Sequence, residues 1–252
     1  MNTQALKEML CKMGDDALIM GHRNAEWTGL APTLEEDISF SSIAQDQIGH
    51  ALAMYTLMHE HLGEPNPDII GFSRPETDFT CCHLVELPNS GYDFSLIRHF
   101  LFDHAEILRY KALTNSAFTP LAQVAAKITG ELKYHILHAN TWVRHLGNAT
   151  EEAKARLQTS LNTLLPYALG IFEPSIFEQA LIADGIFIGE NALQTQWMQT
   201  IAAILKQTAL HLPDVTTIQP VYGGRRGYHT EYLQPLLTEM TEVFRIDEQA
   251  EW

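Results

Sequence analysis

The sequence is poor in basic residues and in long apolar runs. Sixteen lysines and arginines stand against 31 aspartates and glutamates in 252 residues, which gives a net charge of −15. Such a chain repels phosphate backbones and anionic headgroups, so nucleic acids and membrane surfaces are not expected as partners. No run reaches the ~18 apolar residues that a membrane-spanning helix needs, and no basic stretch followed by an apolar one opens the sequence.

Cysteine is scarce as well. The chain has three cysteines, and two of them, Cys81 and Cys82, are neighbours, so a disulfide framework is not supported. We therefore expect a cytoplasmic protein. Its length is sufficient for one core, and we expect a single domain over residues 1–252.

Strand-like alternation is scarce too, whereas apolar residues recur at spacings of three and four, which predicts an all-α protein. Thr33, followed by Glu36, forms a predicted capping box at the start of the second helix, which ends at Gly63. Residues 64–91 are rich in proline, glycine, asparagine and aspartate and are predicted to be an irregular excursion with one short helical turn near residues 79–85. The other helices are predicted at residues 3–28, 94–114, 120–146, 151–172, 175–183, 191–210 and 230–244.

Two long helices, an excursion and two further long helices are the connectivity of a four-helix bundle with one long crossover. We predict the core bundle over about residues 3–147 and additional C-terminal helices over about residues 151–246.

Polar residues interrupt the apolar faces of three of these helices. In the second helix, Gln47 and His50 share a face with apolar neighbours. Their spacing is that of the Glu-x-x-His motif of di-iron bundles, with an amide in place of the glutamate. In the fourth helix, Leu132 and His135 repeat the spacing with leucine at the acidic position. Asp103 is the inward carboxylate of the third helix.

Glu131 lies about a hundred degrees round the fourth helix from Leu132 and is predicted to point away from His135. We expect the polar residues of the three helices to meet in one core.

These segments resemble the large subunits of phenylacetyl-CoA epoxidase. The stretch AQDQIGHALAMYTLMHEHLGE is similar to their second helix, FLFDHAEIL to their third, and GELKYHILHA to the helix that carries Glu-Glu-x-Phe-His in the catalytic protein. The resemblance places Gln47, His50, Asp103, Leu132 and His135 on di-iron ligand positions. For the ligand of the first helix it points to Asp16 or Ala17.

Two further stretches, AEWTGLAPTLEEDISFSSIAQD and YGGRRGYHTEYLQPLLTEM, together with Trp252, resemble the companion PaaC-type protein. This resemblance implies a ferritin-like, non-catalytic partner that holds a homologous di-iron subunit, with only indirect contact to the other subunits and a reductase. The complex would use O₂ and electrons from the reductase to epoxidise the ring of a CoA thioester in aerobic phenylacetate degradation. Without its partner, the chain is expected to form a homo-oligomer.

The remaining residues leave alternatives open. With Gln47 and Leu132 at ligand positions, too few carboxylates remain to balance two iron ions, so we expect no metal, no cofactor and no catalytic residue of its own. The favoured interpretation is that His50, His135 and Asp103 hydrogen-bond one another in the core. An oxygenase subunit with its own iron site, built from those three residues with or without Asp16, is the alternative.

The loop GGRRG is not a phosphate-binding loop, because it lacks the spacing and the Lys-Ser/Thr ending of one. Arg225 and Arg226 are candidates for contact with an acidic partner or with CoA, and a solvated turn is the competing interpretation. His104, His138 and His145 flank the inner positions and are predicted to be surface or interface residues.

Overall fold

A computed structural model of the chain describes residues 1–247, and Trp252 lies outside this range. All regular secondary structure within residues 1–247 is helical. The helices are α1 (Thr3–Ala25), α2 (Leu34–Leu62), α3 (Pro67–Phe72), α4 (His83–Glu86), α5 (Tyr92–Leu113), α6 (Thr119–Leu146), α7 (Glu151–Leu169), α8 (Glu178–Ala183), α9 (Glu190–Leu205) and α10 (Leu233–Thr241). No helix of this part of the chain is long and apolar enough to cross a membrane.

The four long helices form a bundle of two hairpins, α1 with α2 and α5 with α6. Helices α7 and α9 pack on the outside of α5. The indole of Trp197 on α9 is fully buried, and its Nε1 donates a hydrogen bond to the carbonyl of Leu101 on α5 at 2.9 Å. The C-terminal helices therefore share a continuous apolar core with the bundle.

The start of α2 is correctly predicted, but the capping box is incomplete. The hydroxyl of Thr33 accepts from the backbone N–H of Glu36, and Gly63 ends the helix in the left-handed conformation at φ 74°. The carboxylate of Glu36 does not return to the cap, because it accepts from Tyr92 and from His138.

The excursion over residues 64–91 is more helical than predicted. Asn66 caps α3, and Pro67 occupies its first turn, where a missing N–H is harmless. The predicted helical turn falls at His83–Glu86, at the end of the predicted range. Both short helices depend on packing against α1 and α2, which a local pattern does not reveal.

Candidate site in the bundle core

The polar residues predicted from α2, α5 and α6 lie together in the core. Gln47, His50, Asp103 and His135 are each at most 4% exposed. Gln47 Nε2 donates to Asp103 Oδ1 at 3.5 Å, and His135 Nδ1 lies 3.3 Å from Asp103 Oδ2. The rings of His50 and His135 stack with their centroids 6.1 Å apart. The four side chains thus form one buried polar cluster centred on Asp103.

His99 belongs to this cluster and was missed at the level of sequence. It precedes Asp103 by one turn of α5, and its Nδ1 lies 2.7 Å from Asp103 Oδ2. The available signal was the i, i+4 spacing of a histidine and an aspartate on one helix face. The contacts of His99 and His135 with Asp103 have ion-pair length, although neither has the angular geometry of a hydrogen bond.

The first helix contributes Asn24 rather than Asp16 or Ala17. Asn24 Nδ2 donates to Gln47 Oε1 at 2.8 Å. Because Gln47 in turn donates to Asp103, two successive hydrogen bonds connect Asn24 to Asp103 through Gln47. Asp16 is engaged elsewhere, where Arg225 and the backbone N–H of Cys82 bind its carboxylate. Because α1 and α2 are antiparallel, small differences in where the hairpin turns decide which α1 residue faces Gln47.

Three histidine–carboxylate pairs cross the seam between the antiparallel helices α2 and α6. They are His50 Nε2 with Glu131 Oε2 at 2.9 Å, His135 Nε2 with Asp46 Oδ2 at 3.1 Å, and His138 Nε2 with Glu36 Oε2 at 2.9 Å. Glu131 does not pair with His135, but it reaches His50 on the neighbouring helix. A single-helix argument about its direction could not reveal that contact.

The charges of the cluster follow from these neighbours. Burial opposes ionisation of Asp103, but the facing imidazoles of His99 and His135 hold its pKa well below its usual range. Burial also opposes protonation of His135, yet Asp103 and Asp46 raise its pKa to about 9. Burial lowers the pKa of His50 and of His99. At neutral pH the cluster therefore contains one imidazolium held between two carboxylates.

A di-iron centre does not fit these residues. Leu132 is 1% exposed and offers no ligand atom, and Gln47 is a neutral amide whose N–H₂ group donates to Asp103. The groups around Asp103 are nitrogen-bearing side chains that lie against its oxygens, whereas a metal site gathers lone pairs around one point. Within residues 1–247, no set of three potential ligand atoms in this cluster converges as a metal site requires.

Other histidines differ from their predicted surroundings. His104 is 3% exposed, with Nε2 2.9 Å from Asn140 Oδ1, so its predicted surface position is wrong. His138 is half-buried in the α2–α6 seam, because Glu36 on the neighbouring helix draws it inward. His145 is exposed, as predicted.

Arg225 is not a surface residue, contrary to both interpretations of the GGRRG loop. It is 8% exposed, its two terminal nitrogens lie 2.8 and 2.6 Å from the oxygens of Asp16, and it also donates to the carbonyls of Thr80 and Ile171. Such bidentate pairing uses the planar fork of the guanidinium, and the remaining Nε is buried, so the side chain is not accessible to a partner or CoA. The reason is tertiary, because the loop folds back onto α1.

Arg226, by contrast, has a side chain that is 63% exposed and pairs with Glu173 at 2.8 Å. It lines a surface cleft of about 490 Å³ together with Lys7 and Arg74. Lys7 pairs with Glu64 and Arg74 pairs with Asp15, so each of these cations already has a carboxylate partner. Contact between Arg226 and a partner or CoA stays a prediction.

Within residues 1–247, one group of side chains that could bind a metal ion lies outside the bundle core. Cys81, Glu86 and His229 place one ligand atom each within 4.8 Å of the others. Glu86 already accepts from His229 Nδ1 and from the backbone N–H of Thr230, both at 2.7 Å. Burial raises the pKa of the Cys81 thiol well above its usual value. These hydrogen bonds join the C-terminal segment to α4.

Comparison with known proteins agrees with this architecture. The family model of the phenylacetic acid catabolic proteins matches residues 1–252. The C subunit of 1,2-phenylacetyl-CoA epoxidase from Escherichia coli K12 is 30% identical over 241 residues, which cover 96% of each chain. The A subunit of the same enzyme is 26% identical over 149 residues, which cover 59% of this chain and 48% of that relative.

Proposed function

The chain belongs to the phenylacetic acid catabolic protein family, and we propose that it is the structural, non-catalytic subunit of a multicomponent phenylacetyl-CoA epoxidase in aerobic phenylacetate catabolism. In this role a single ferritin-like domain holds a homologous di-iron subunit, while the other subunits and the reductase are contacted indirectly. Its similarity to the C subunit of the E. coli enzyme over almost the whole length supports the proposal. Three free cysteines support a cytoplasmic location.

The observation that carries the proposal is the chemistry of the cluster around Asp103. Two of the ligand positions that the family resemblance indicates are occupied by Gln47 and Leu132, and the remaining groups bind one another. The charge of this buried carboxylate is compensated by an amide donor on one oxygen and by two imidazoles beside the other, so it does not need a cation. What the chain retains is the four-helix bundle with its additional C-terminal helices.

The alternative, an oxygenase subunit with its own iron site, is favoured by one observation. His50, His135 and Asp103 do lie in the same buried cluster, and they are compositionally a set of two histidines and one carboxylate. In that function a rotation of the imidazoles would have to replace the pairs with Glu131 and Asp46.

Metal analysis separates the two functions. We expect the chain purified alone after iron-supplemented expression to contain iron, manganese and zinc below one equivalent. The same measurement on Cys81→Ser removes any contribution of the cluster near α4. One or two tightly held metal ions that persist in Cys81→Ser but are lost in Asp103→Asn would contradict the structural role.

Co-expression tests the proposed association with a di-iron subunit. The chain is expressed with a catalytic partner of the A-subunit type from the same source, and the products are analysed by size-exclusion chromatography. We expect a mixed complex, in which iron follows the partner and epoxidase activity needs both chains. Separate elution at micromolar concentration, with full activity of the partner alone, is the result that would end the proposal.

A further inference from the structure

The surface cleft that Arg226 lines together with Lys7 and Arg74 lies where α1, the end of α2, residues 64–80 and the GGRRG loop come together, and we call it the loop cleft. Its volume is about 490 Å³. Small-molecule sites in proteins have volumes of about 300–1,000 Å³, so the loop cleft has room for a small organic ligand. None of the residues of the cluster around Asp103 lines it. A ligand bound here therefore occupies a site separate from the bundle core.

The bottom of the loop cleft is apolar. Met58 on α2 and Ile70 on α3 line it although they are only 2% and 4% exposed, and Pro65 and Ile69 belong to the same lining. An apolar group that covers such side chains removes further apolar surface from water, which is favourable. The loop cleft therefore favours a ligand with an apolar body over a small inorganic ion.

The charges around the loop cleft differ from those of the whole chain. Three cations line it, Lys7, Arg74 and Arg226, against the two carboxylates of Glu64 and Asp78. In the whole sequence, acidic residues outnumber basic ones by 31 to 16. A local excess of cations in an acidic protein indicates a site for an anionic group.

Arg226 retains free donors at the loop cleft. Its Nε donates to Glu173 Oε1 at 2.8 Å, and the other carboxylate oxygen of Glu173 accepts from the backbone N–H of Gly223 at 2.7 Å. Within residues 1–247, the terminal nitrogens Nη1 and Nη2 of Arg226 donate no hydrogen bond. In the neighbouring Arg225, by contrast, both terminal nitrogens bind Asp16. The guanidinium of Arg226 is thus held in place through Nε, while its two terminal nitrogens are available to a ligand.

The chemistry of the loop cleft indicates the class of its ligand. The terminal N–H groups of a guanidinium lie in one plane and match the two oxygens of a carboxylate. We propose that the loop cleft binds an organic monocarboxylate, whose carboxylate accepts from Nη1 and Nη2 of Arg226 and whose apolar body covers Met58 and Ile70. An inorganic anion uses only the first of these contacts, and a neutral apolar molecule uses only the second. Such binding is independent of the association with a di-iron subunit, so either can fail without the other.

Hexanoate is a suitable probe, and it is titrated into the purified full-length chain at pH 7.5 while the backbone amides are followed by NMR. We expect the amides of Ile69 and Gly227, which line the loop cleft, to shift with a dissociation constant of about 1 mM or lower. Acetate keeps the charge without the apolar body, and hexan-1-ol keeps the body without the charge. Each of these two compounds should bind at least about tenfold more weakly than hexanoate.

Two arginine variants test the assigned contact. Arg226→Gln removes the guanidinium at the loop cleft, and Arg156→Gln removes one on α7, from side chains that are 63% and 62% exposed. Both variants should melt close to the wild type, because neither replaces a buried side chain. Affinity for hexanoate should fall at least about tenfold in Arg226→Gln and remain unchanged in Arg156→Gln.

Several results would overturn the assigned site. Absence of saturable hexanoate binding would do so, as would shifts confined to amides outside the loop cleft. Acetate or inorganic phosphate that binds as tightly as hexanoate would show an anion site without an apolar part. Equal affinity for hexan-1-ol, or equal losses in the two arginine variants, would show that Arg226 does not recognise the carboxylate.

Discussion

Asp103 remains ionised in the middle of a helical core because nitrogen-bearing side chains face both of its oxygens. Gln47 donates to one oxygen, and His99 and His135 lie against the other. The apolar side chain of Leu132 is buried at the ligand position one turn before His135. At the scale of single residues, the cluster therefore places one buried negative charge among polar groups that compensate it, and its stability depends on adding no second buried charge.

Restoring the acidic residues should destabilise the protein. In the double variant Gln47→Glu with Leu132→Glu, the amide donor to Asp103 is lost and two carboxylates enter a dry site. We expect the free energy of unfolding to fall by several kcal/mol, because uncompensated burial of charge carries about that cost. Thermal unfolding of the metal-free protein measures the change, and Gln45→Glu on the exposed side of α2 is the control. A melting temperature as high as that of the wild type would show that the core is already hydrated.

The imidazolium of His135 should make stability depend on pH in the alkaline range. Its pKa is raised to about 9 in the folded protein, against 6.5 for an unperturbed histidine. A raised pKa contributes stability that is fully present below pH 6.5 and is lost as the pH rises through 9. The shift corresponds to roughly 3 kcal/mol.

Urea unfolding of the wild type and of His135→Gln between pH 6 and pH 10 measures this contribution. We expect the stability difference between the two proteins to shrink as the pH rises through 9. A difference that stays constant over the range would mean that His135 is neutral in the fold.

The GGRRG loop is the element for which the structure differs most from the sequence-based prediction. Gly224 packs so closely on the segment before α4 that an added Cβ would lie 2.1 Å from the carbonyl oxygen of Cys81, and Gly227 has φ 75°. Between them, Arg225 is bound to Asp16 of α1. The loop is thus a junction between the C-terminal segment and the first helix.

Breaking this junction should be costly. Arg225→Met leaves the carboxylate of Asp16 buried without its partner, and we expect a loss of about 3–5 kcal/mol in the free energy of unfolding. Removing both charges in Arg225→Met with Asp16→Leu should recover part of that loss. Arg226→Met, which replaces an exposed side chain, should change stability by less than about 1 kcal/mol. Denaturant unfolding of the four proteins measures all of these effects. Equal losses for Arg225→Met and Arg226→Met would contradict the assigned role of the junction.

On the scale of the whole molecule, buried ion pairs tie the C-terminal helices to the bundle. Glu190 at the start of α9 binds Lys12 of α1 at 2.7 Å and Arg109 of α5 at 2.6 Å. The pKa of Glu190 falls to about 2, because Arg109 and Lys12 outweigh the effect of burial. The outer surface, in contrast, combines a strong negative charge with exposed apolar side chains on α2.

Self-association of the isolated chain should therefore increase with salt. The exposed apolar side chains of Ile38, Ile48 and Leu52 on α2 favour contact between copies of the isolated chain, but the net charge of −15 opposes it. Added salt screens this repulsion beyond about 10 Å at 0.1 M. We expect analytical ultracentrifugation to show a larger oligomeric fraction at 0.5 M than at 0.05 M sodium chloride. Leu52→Arg should lower that fraction. A monomer under all conditions, or an oligomer that salt dissociates, would contradict the prediction.

The periodicity of apolar residues was sufficient to determine the helical class and most helix boundaries. It placed the bundle helices within a few residues of α1, α2, α5 and α6, because 3.6-residue periodicity over long segments is a local property. It also identified Gln47, His50, Asp103 and His135 as inward-facing, since that follows from position on a single helix. The sequence predicts a helical turn near α4 but no helix at α3, because the stability of both short helices comes from packing.

The contacts between side chains on different helices could not be predicted from the sequence. The sequence alone determined that this is an acidic, all-helical chain whose core carries histidines and carboxylates at spaced positions. Only the tertiary structure decided that Asn24 faces Gln47, that Glu131 reaches His50, and that Arg225 is buried against Asp16. The physical reason is that side-chain partners on different helices depend on the register and rotation of whole helices, which are set by packing across the entire core.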